Sequence, residues 1–384
     1  MAPPPLNATT PRVFIAATRQ DDGKTTTSLG LLGLLRKRIG RIGYIKPVGQ
    51  RTVDVGGLQI DEDSVLINDT YNPGLPLEAM SPIAVESRFT RDYLDAPDPA
   101  PLESRAIHAF NRAAWEQDFV IIEGTGHAGV GSVFDMSNAR VAELLRSRVI
   151  IVSQGGVGKP IDEISLNLAL FRQRGVEVLG VILNKVIPER IADLRPYAEK
   201  GLDRLGLPLL GIIPLNQELR KPTINQVKLE LGGEWLAGAK FHRRRINRMV
   251  IGAASPRHAE MYFEPDSLII TAGDREDLIL AILGGAGDGT GGAKLGGVVL
   301  TQGLLPQPGL LKVMQSKAIP FISVKQDSYT AATRIHEMTV KTEPGDKQKI
   351  ELIQHLIESH VDIPRIIEGA RLADLRPPLH ISAG

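Results

Sequence analysis

The side chains best suited to chemistry lie in one short stretch, Ala17-Thr18-Arg19-Gln20-Asp21-Asp22-Gly23-Lys24-Thr25-Thr26. It follows an apolar run, residues 12–17, and leads into a helical pattern over 25–38, where Leu29, Leu32 and Leu35 recur near helical spacing. A loop so placed opens onto a helix N-terminus, whose unpaired N–H groups and dipole attract an anion. Gly23 lets the backbone approach that anion closely. Lys24 can reach between β- and γ-phosphates, and Thr25 can offer its hydroxyl to Mg²⁺, an ion that keeps several waters and takes few protein ligands. The strict pattern G-x-x-x-x-G-K-[ST] is not met: Thr18 stands at its first glycine position, and one residue further back stands Ala17. An ordinary strand-to-helix loop with a solvated lysine could also contain Gly-Lys-Thr. The strand–loop–helix context points instead to phosphate, with Thr18, Asp22, Gly23, Lys24, Thr25 and Thr26 as the candidate binding set.

Three further residues fall where such a site would need them. Lys46, in Tyr44-Ile45-Lys46-Pro47-Val48, ends a second apolar run; Glu123, in Glu123-Gly124-Thr125-Gly126, ends another; Asn184, in Leu183-Asn184-Lys185-Val186, ends a fourth. In open α/β sheets the ligand crevice lies at those strand ends. An Asn amide offers a donor and an acceptor to an adenine edge. Taken singly, Lys46 reads as solvated, Glu123 as a helix cap and Asn184 as a turn residue; their common placement favours a shared site.

The elements that must position them follow from the alternation of apolar runs and helical patterns. Runs at 12–17, 41–45, 119–122, 149–152, 178–183 and 209–213 suit strands buried on both faces of a parallel sheet, with helices near 102–117, 139–146 and 161–174 between them. This predicts an α/β fold, a mostly parallel sheet flanked by helices. A second, smaller α/β unit is expected from strands at 249–252, 267–271, 297–301 and 321–324. The expected layout is a frayed N-terminus 1–11, a first domain 12–215, a helical connector 216–244, a second domain 245–345, and a C-terminal helix with a tail over 346–384. Asp274 is read as a helix cap, the glycine-rich run 284–297 as a flexible insertion, and the basic run His242 to Arg248 as a solvated interdomain face.

Composition narrows the classes. The chain has 384 residues, 42% hydrophobic and 23% charged, with a formal net charge of +1, 4% aromatics and no cysteine. That balance supplies neither a field to gather nucleic acid nor a base-stacking surface, so no nucleic-acid partner is expected. No apolar run approaches a membrane span, and no signal-peptide pattern opens the chain, so a cytoplasmic protein without a membrane partner is expected. The eight histidines show no H-E-x-x-H spacing, and there is no G-x-S-x-G elbow.

On these motifs the first half resembles dethiobiotin synthetase and its relatives, including cobyrinic acid a,c-diamide synthase. The loop Ala17 to Thr25 has the family's length, one residue longer than usual, with alanine where the family begins with glycine. The resemblance implies a P-loop NTPase-like fold and Mg-ATP as cofactor. It implies that Lys24 and Thr25 bind phosphate and Mg²⁺, that Lys46 contacts the transferred phosphate or a substrate carboxylate, and that Glu123 helps hold the metal. Asp63, ahead of Ser64-Val65-Leu66-Ile67, is the matching aspartate ligand, with Asp61 as a rival, and Asn184 matches the adenine reader. Lys24 and Lys46 are the implied catalytic pair. Gln50 and Arg51 depart from the small residues dethiobiotin synthetase has there, and residues 70–100, rich in proline, look like a lid or loop.

The second half resembles the DRTGG domain, through Ile251-Gly252-Ala253, the stretch 269–280 and Val299-Leu300-Thr301 with Gly303. The two together resemble the N-terminal region of long bacterial phosphotransacetylases, whose acetyl-transferring part would need roughly three hundred further residues. The resemblance implies a nucleotide-binding regulatory or sensory module that self-associates through its DRTGG-like part. An ATP-dependent carboxylate-activating ligase and a nucleotide-free scaffold are the alternatives.

Overall fold

The computed structural model describes residues 5–285 and 295–371. Most of the glycine-rich run, 286–294, and the tail beyond 371 lie outside the described residues. The chain divides into two compact units, residues 1–216 with 342–384, and residues 217–341.

The first unit is built on six parallel strands in the order Leu209–Pro214, Val178–Val186, Arg148–Gln154, Arg12–Ala17, Phe119–Glu123, Ile42–Ile45. The central strands are buried on both faces, which is why their sequences read as continuous apolar runs rather than alternating ones. The chain moves from the Arg12–Ala17 strand to one side of the sheet, then crosses to Arg148–Gln154 on the other. The switch point, where α/β sheets form their crevice, therefore lies beside the loop that contains Lys24.

That loop feeds the helix Lys24–Arg38, in which Leu29, Leu31, Leu32, Leu34 and Leu35 are all buried. A helix apolar on so many sides must be covered on more than the sheet face. The cover comes from the far end of the chain: the helix Lys347–His360 packs against it, with Gly30 and Gly33 at the closest approach. A Cβ at Gly30 would stand 2.5 Å from Ile357 Cγ1, and one at Gly33 would stand 2.5 Å from Gln354 Nε2. Gln354 donates to the Tyr71 hydroxyl at 3.0 Å, which donates in turn to the carbonyl of Leu29 at 2.7 Å. The expected C-terminal helix is thus part of the first unit, further joined to it by the Asp362 amide on the carbonyl of Leu210.

The proline-rich segment 70–100, expected as a lid or loop, is instead built into the unit. It holds the helices Leu77–Met80 and Phe89–Asp95, and Ile83–Ala84 pairs with Val48–Gly49. Met80 and Ile83 are fully buried, and the carbonyl of Met80 accepts from the backbone N–H of Lys46. The prolines end short elements; the apolar residues between them anchor the segment.

The second unit is a five-stranded sheet ordered Glu234–Ala237, Phe321–Ser323, Gly297–Thr301, Ser267–Ala272, Arg248–Ile251, parallel except for its first pair. Successive residues serve opposite faces, as the period of two demands. Leu268 and Ile270 pack with Ile224, Val227 and Leu231, while Ile269 packs with Leu278, Ile279 and Met314. Residues read as a connector, 216–244, are therefore mostly structural parts of this unit. The helix Ile224–Leu231, closed by a Thr223–Gln226 capping box, covers one face, and Glu234–Ala237 adds an edge strand. The basic run lies within the same unit: Arg244 donates to the carbonyl of Leu295 and Arg248 pairs with Glu264. Glu276 and Asp277 open the next helix, and Arg275 holds Asp277 and the carbonyls of Gly252 and Ala254. Among the described residues no helix is long and apolar enough to cross a membrane.

The packing at Gly30 generates a direct test. Gly30→Val should destabilise the first unit by about 1–3 kcal/mol, the usual cost of overfilling a packed contact, read as a lower urea midpoint for that unit. An unchanged midpoint would mean the C-terminal helix does not lie against the loop helix.

Candidate functional site

Five parallel strands deliver their C-terminal ends to one place. Ala17 leads into the loop, Ile45 into Lys46, and Glu123, Ser153 and Asn184 sit at or near the ends of their own strands. The register pairs Ile45 with Ile122, so Lys46 and Glu123 are the next residues along on neighbouring strands. Gln154 pairs with Asn184.

The loop is held from within and from below. Asp22 is fully buried and accepts on Oδ2 from the Thr18 hydroxyl at 2.7 Å and from the backbone N–H of Arg19 at 2.8 Å. Thr18 also meets the Ser153 hydroxyl at 3.0 Å. Asn184 Nδ2 donates to the carbonyl of Asp22 at 2.8 Å, and its Oδ1 accepts from the N–H of Lys185 at 2.8 Å. Gly23 has φ of 107°, a left-handed conformation that side chains resist, and a Cβ there would stand 2.1 Å from Asn184 Nδ2. Glycine is thus required twice over at position 23. Asn184 lies under the loop with one donor and one acceptor engaged, and it retains one of each.

The helix begins at Lys24 with no side-chain cap, so its first N–H groups are left for another partner. Lys24 itself is buried, and Thr26, half-buried, lies in the first turn. Burial lowers the Lys24 pKa from the ordinary lysine value; Glu123 pulls it back, Lys46 adds to the fall, and Asp22 and Asp63 oppose it. Thr25 donates its hydroxyl to Glu123 Oε1 at 2.8 Å, and Tyr44 donates to Glu123 Oε2 at 3.0 Å.

Lys46 is the centre of a second cluster. Its ammonium lies 2.8 Å from Asp61 Oδ1 and also bonds Asp63. Burial pulls its pKa down, but Asp63 and Asp61, with Glu123 behind them, outweigh burial and leave it above the ordinary lysine value. Asp61 caps the helix Glu62–Tyr71 by accepting from the Asp63 N–H at 3.0 Å. It arrives there on a hairpin, Thr52–Val55 with Leu58–Asp61, turned by Gly56 and Gly57, both at positive φ. Asp61 is fully buried and the Asp63 side chain is 17% exposed.

Sequence reasoning brought Lys24, Thr25, Lys46, Asp63, Glu123 and Asn184 to this place, and the structure sets them there together. It missed Tyr44, Ser153 and Asn138. Tyr44 lies on the Ile42–Ile45 strand two residues before Lys46, where its hydroxyl reaches Glu123, a placement that the strand-end position of Lys46 could have suggested. Asn138 bonds the N–H and carbonyl of Thr125 and the carbonyl of His127, securing the turn after Glu123; no local pattern announces that.

The site holds more buried negative charge than positive. Two ammonium groups, Lys24 and Lys46, face four carboxylates: Asp22, Asp61, Asp63 and Glu123. One oxygen each of Asp22 and Asp61 is buried without a hydrogen-bond partner. Burial, then the charge of Asp63, pushes the Glu123 carboxyl up to about 7, against the pull of Lys46 and the Thr25 hydroxyl. A divalent cation would relieve this excess, and the oxygen-only donor set of Thr25, Asp63 and Glu123 suits Mg²⁺. Among the described residues no three His, Asp or Glu side chains are grouped so as to hold a metal ion by themselves; an ion here would need ligands from phosphate and water.

The AAA domain model AAA_26 matches residues 11–223. The chain belongs to that family. The DRTGG domain model matches residues 226–338, so a P-loop domain of the dethiobiotin synthetase-like kind is followed by a DRTGG domain, the order found in the N-terminal region of phosphate acetyltransferases. The phosphate acetyltransferase of Pseudomonas aeruginosa is 29% identical over 367 residues, covering 91% of this chain and 50% of the relative. That of Nitratidesulfovibrio vulgaris is 27% identical, covering 94% of this chain and 51% of the relative. The chain spans about half the length of the curated relatives it matches. Among solved structures, the septum site-determining protein MinD with Mg-ADP from Pyrococcus horikoshii is 19% identical, covering 55% of this chain and 84% of that one, at a TM-score of 0.36. The CBS and DRTGG domains of the regulatory region of Clostridium perfringens pyrophosphatase, complexed with the activator diadenosine tetraphosphate, are 16% identical, covering 31% of this chain and 51% of that one, at a TM-score of 0.25.

Glu123 supplies a test by titration. Its folded pKa of about 7 lies above the ordinary 4.5, so between those values the folded chain binds more protons than the unfolded chain. Stability then falls as pH rises through that window, by up to about 3 kcal/mol from this group. Glu123→Gln removes the charge and leaves an oxygen to accept. In EDTA the variant should melt above the wild type at pH 8, and the gap should shrink towards pH 5. A variant less stable than the wild type at pH 8 would contradict the charge assignment.

Proposed function

We propose that the first unit binds Mg-ATP and that the chain is a nucleotide-responsive regulatory or sensory module. The observation that carries the reading is the uncapped start of the Lys24–Arg38 helix, with buried Lys24 beside Thr25 and Glu123. The first N–H groups of that helix and the Lys24 ammonium would take the β- and γ-phosphates. Thr25 and Glu123 would hold Mg²⁺, with Asp63 favoured over Asp61, because Asp61 is committed to the helix cap and fully buried. When bound, Mg²⁺ would neutralise the phosphate tail and the carboxylates around it. Thr18 and Asp22 keep the loop in shape, Thr26 lies in the helix's first turn, and Asn184 has a donor and an acceptor free for the base.

Binding is better supported than phosphoryl transfer. A lysine that stabilises a transferring phosphoryl must bring net positive charge to it; Lys46 is held by two carboxylates. The ligase reading keeps one support, that Lys46, Asp63 and Glu123 converge on one site. A regulatory role also suits a P-loop domain joined to a DRTGG domain, and we place self-association in the second unit, where Ile251 on the edge strand and Met261 and Tyr262 are exposed.

Lys24→Ala should weaken Mg-ATP binding by about 1.5–3 kcal/mol, the worth of a hydrogen bond to a charged group, in a calorimetric titration. Unchanged affinity would displace the phosphates from this loop. Phosphate release by the wild type should stay at background; release stimulated by a small carboxylate would favour the ligase.

A further inference from the structure

Asp22 is an unexpected residue to find directly before Gly23-Lys24 in a loop meant for anions. It is fixed at every point that could move. Its Oδ2 accepts from the Thr18 hydroxyl at 2.7 Å and the Arg19 N–H at 2.8 Å, and its carbonyl accepts from Asn184 Nδ2 at 2.8 Å. Its side chain is fully buried and its Oδ1 has no hydrogen-bond partner. Among the described residues no cationic group lies within ion-pair distance of it: Arg19 pairs with Glu163, and Lys24, two residues on, acts on it only through space. The loop therefore carries a carboxylate that is held in place and has no direct ion pair, its one cationic influence being the more distant Lys24.

We propose that Asp22 makes the phosphate loop selective for metal-loaded over metal-free polyphosphate. The inference rests on the nucleotide site proposed above. Coulomb repulsion scales with the charge of the incoming group, and a bare triphosphate tail carries about twice the charge of its magnesium complex. With Asp22 opposing Lys24, and Asp61 and Asp63 already holding Lys46, the site has no net positive charge with which to capture the bare tail. The magnesium complex brings its own compensation. A neutral amide oxygen at position 22 would still accept from Thr18 and Arg19, with weaker bonds, so the loop's shape does not depend on the charge alone.

The test is calorimetric titration of the full chain with ATP, once in EDTA and once in excess Mg²⁺, for the wild type, Asp22→Asn and Asp22→Ser. Asn keeps an acceptor for Thr18 and Arg19; Ser guards against a folding defect of the Asn variant, and melting curves show which variants remain folded. The preference for Mg-ATP over metal-free ATP should fall about tenfold in the folded variants, chiefly through tighter metal-free binding. A preference unchanged in variants that still bind Mg-ATP would overturn the role of Asp22 and leave the site standing. A wild type that binds ATP under neither condition would remove the site and this inference with it.

Discussion

Buried like charge at the ends of parallel strands is the constraint on which this structure turns. Asp22, Asp61, Asp63 and Glu123 surround Lys24 and Lys46, in a region almost closed to solvent. Taking carboxylates out of water costs several kcal/mol each unless partners compensate. Here compensation is incomplete: two carboxylate oxygens lack a partner and Glu123 resists ionisation. A fold selected for stability alone would have filled these places with apolar or neutral side chains. Such incompletely compensated charge fits the proposal of a site whose compensation arrives with a ligand.

The rest of the first unit supplies the rigidity that such a site requires. The Lys24–Arg38 helix is held between the sheet and the Lys347–His360 helix, so its N-terminus has little freedom to retreat from the charge beside it. Gly30 and Gly33 set the depth of that contact, and a hairpin turned by Gly56 and Gly57 carries Asp61 up to Lys46. Close approach recurs at Gly49, where a Cβ would meet the Cβ of Asp61 at 2.7 Å. Chain returning from beyond residue 341 thus completes the domain that the first two hundred residues begin.

Much of this was legible from local pattern. Apolar runs buried on both faces announce parallel strands, and Gly-Lys-Thr between a strand and a helix announces the loop. The convergence of Lys46, Glu123 and Asn184 followed from their positions at strand ends. What escaped was non-local or disguised. The docking of the C-terminal helix on the loop helix joins residues some three hundred apart in sequence, which no periodicity reveals, although the leucine-rich character of 29–35 implied a cover. The Gly56-Gly57 hairpin had a clear turn signal that went unread. Prolines in 70–100 read as loop because they mask short buried segments such as Met80 and Ile83, and the edge strand Glu234–Ala237 is too short and too polar to stand out.

The chain shares a family with P-loop domains and an order of domains with part of the phosphate acetyltransferases, and the proposed preference for a metal-loaded nucleotide rests on its charge pattern. The most direct test is a crystal structure grown with ATP and Mn²⁺ as an anomalous stand-in for Mg²⁺. One anomalous peak is expected within bonding distance of the Thr25 hydroxyl, facing the Glu123 carboxylate, with the β- and γ-phosphates on the amides that open the Lys24 helix. A nucleotide bound elsewhere, or bound at this loop with no metal between Thr25 and Glu123, would contradict it.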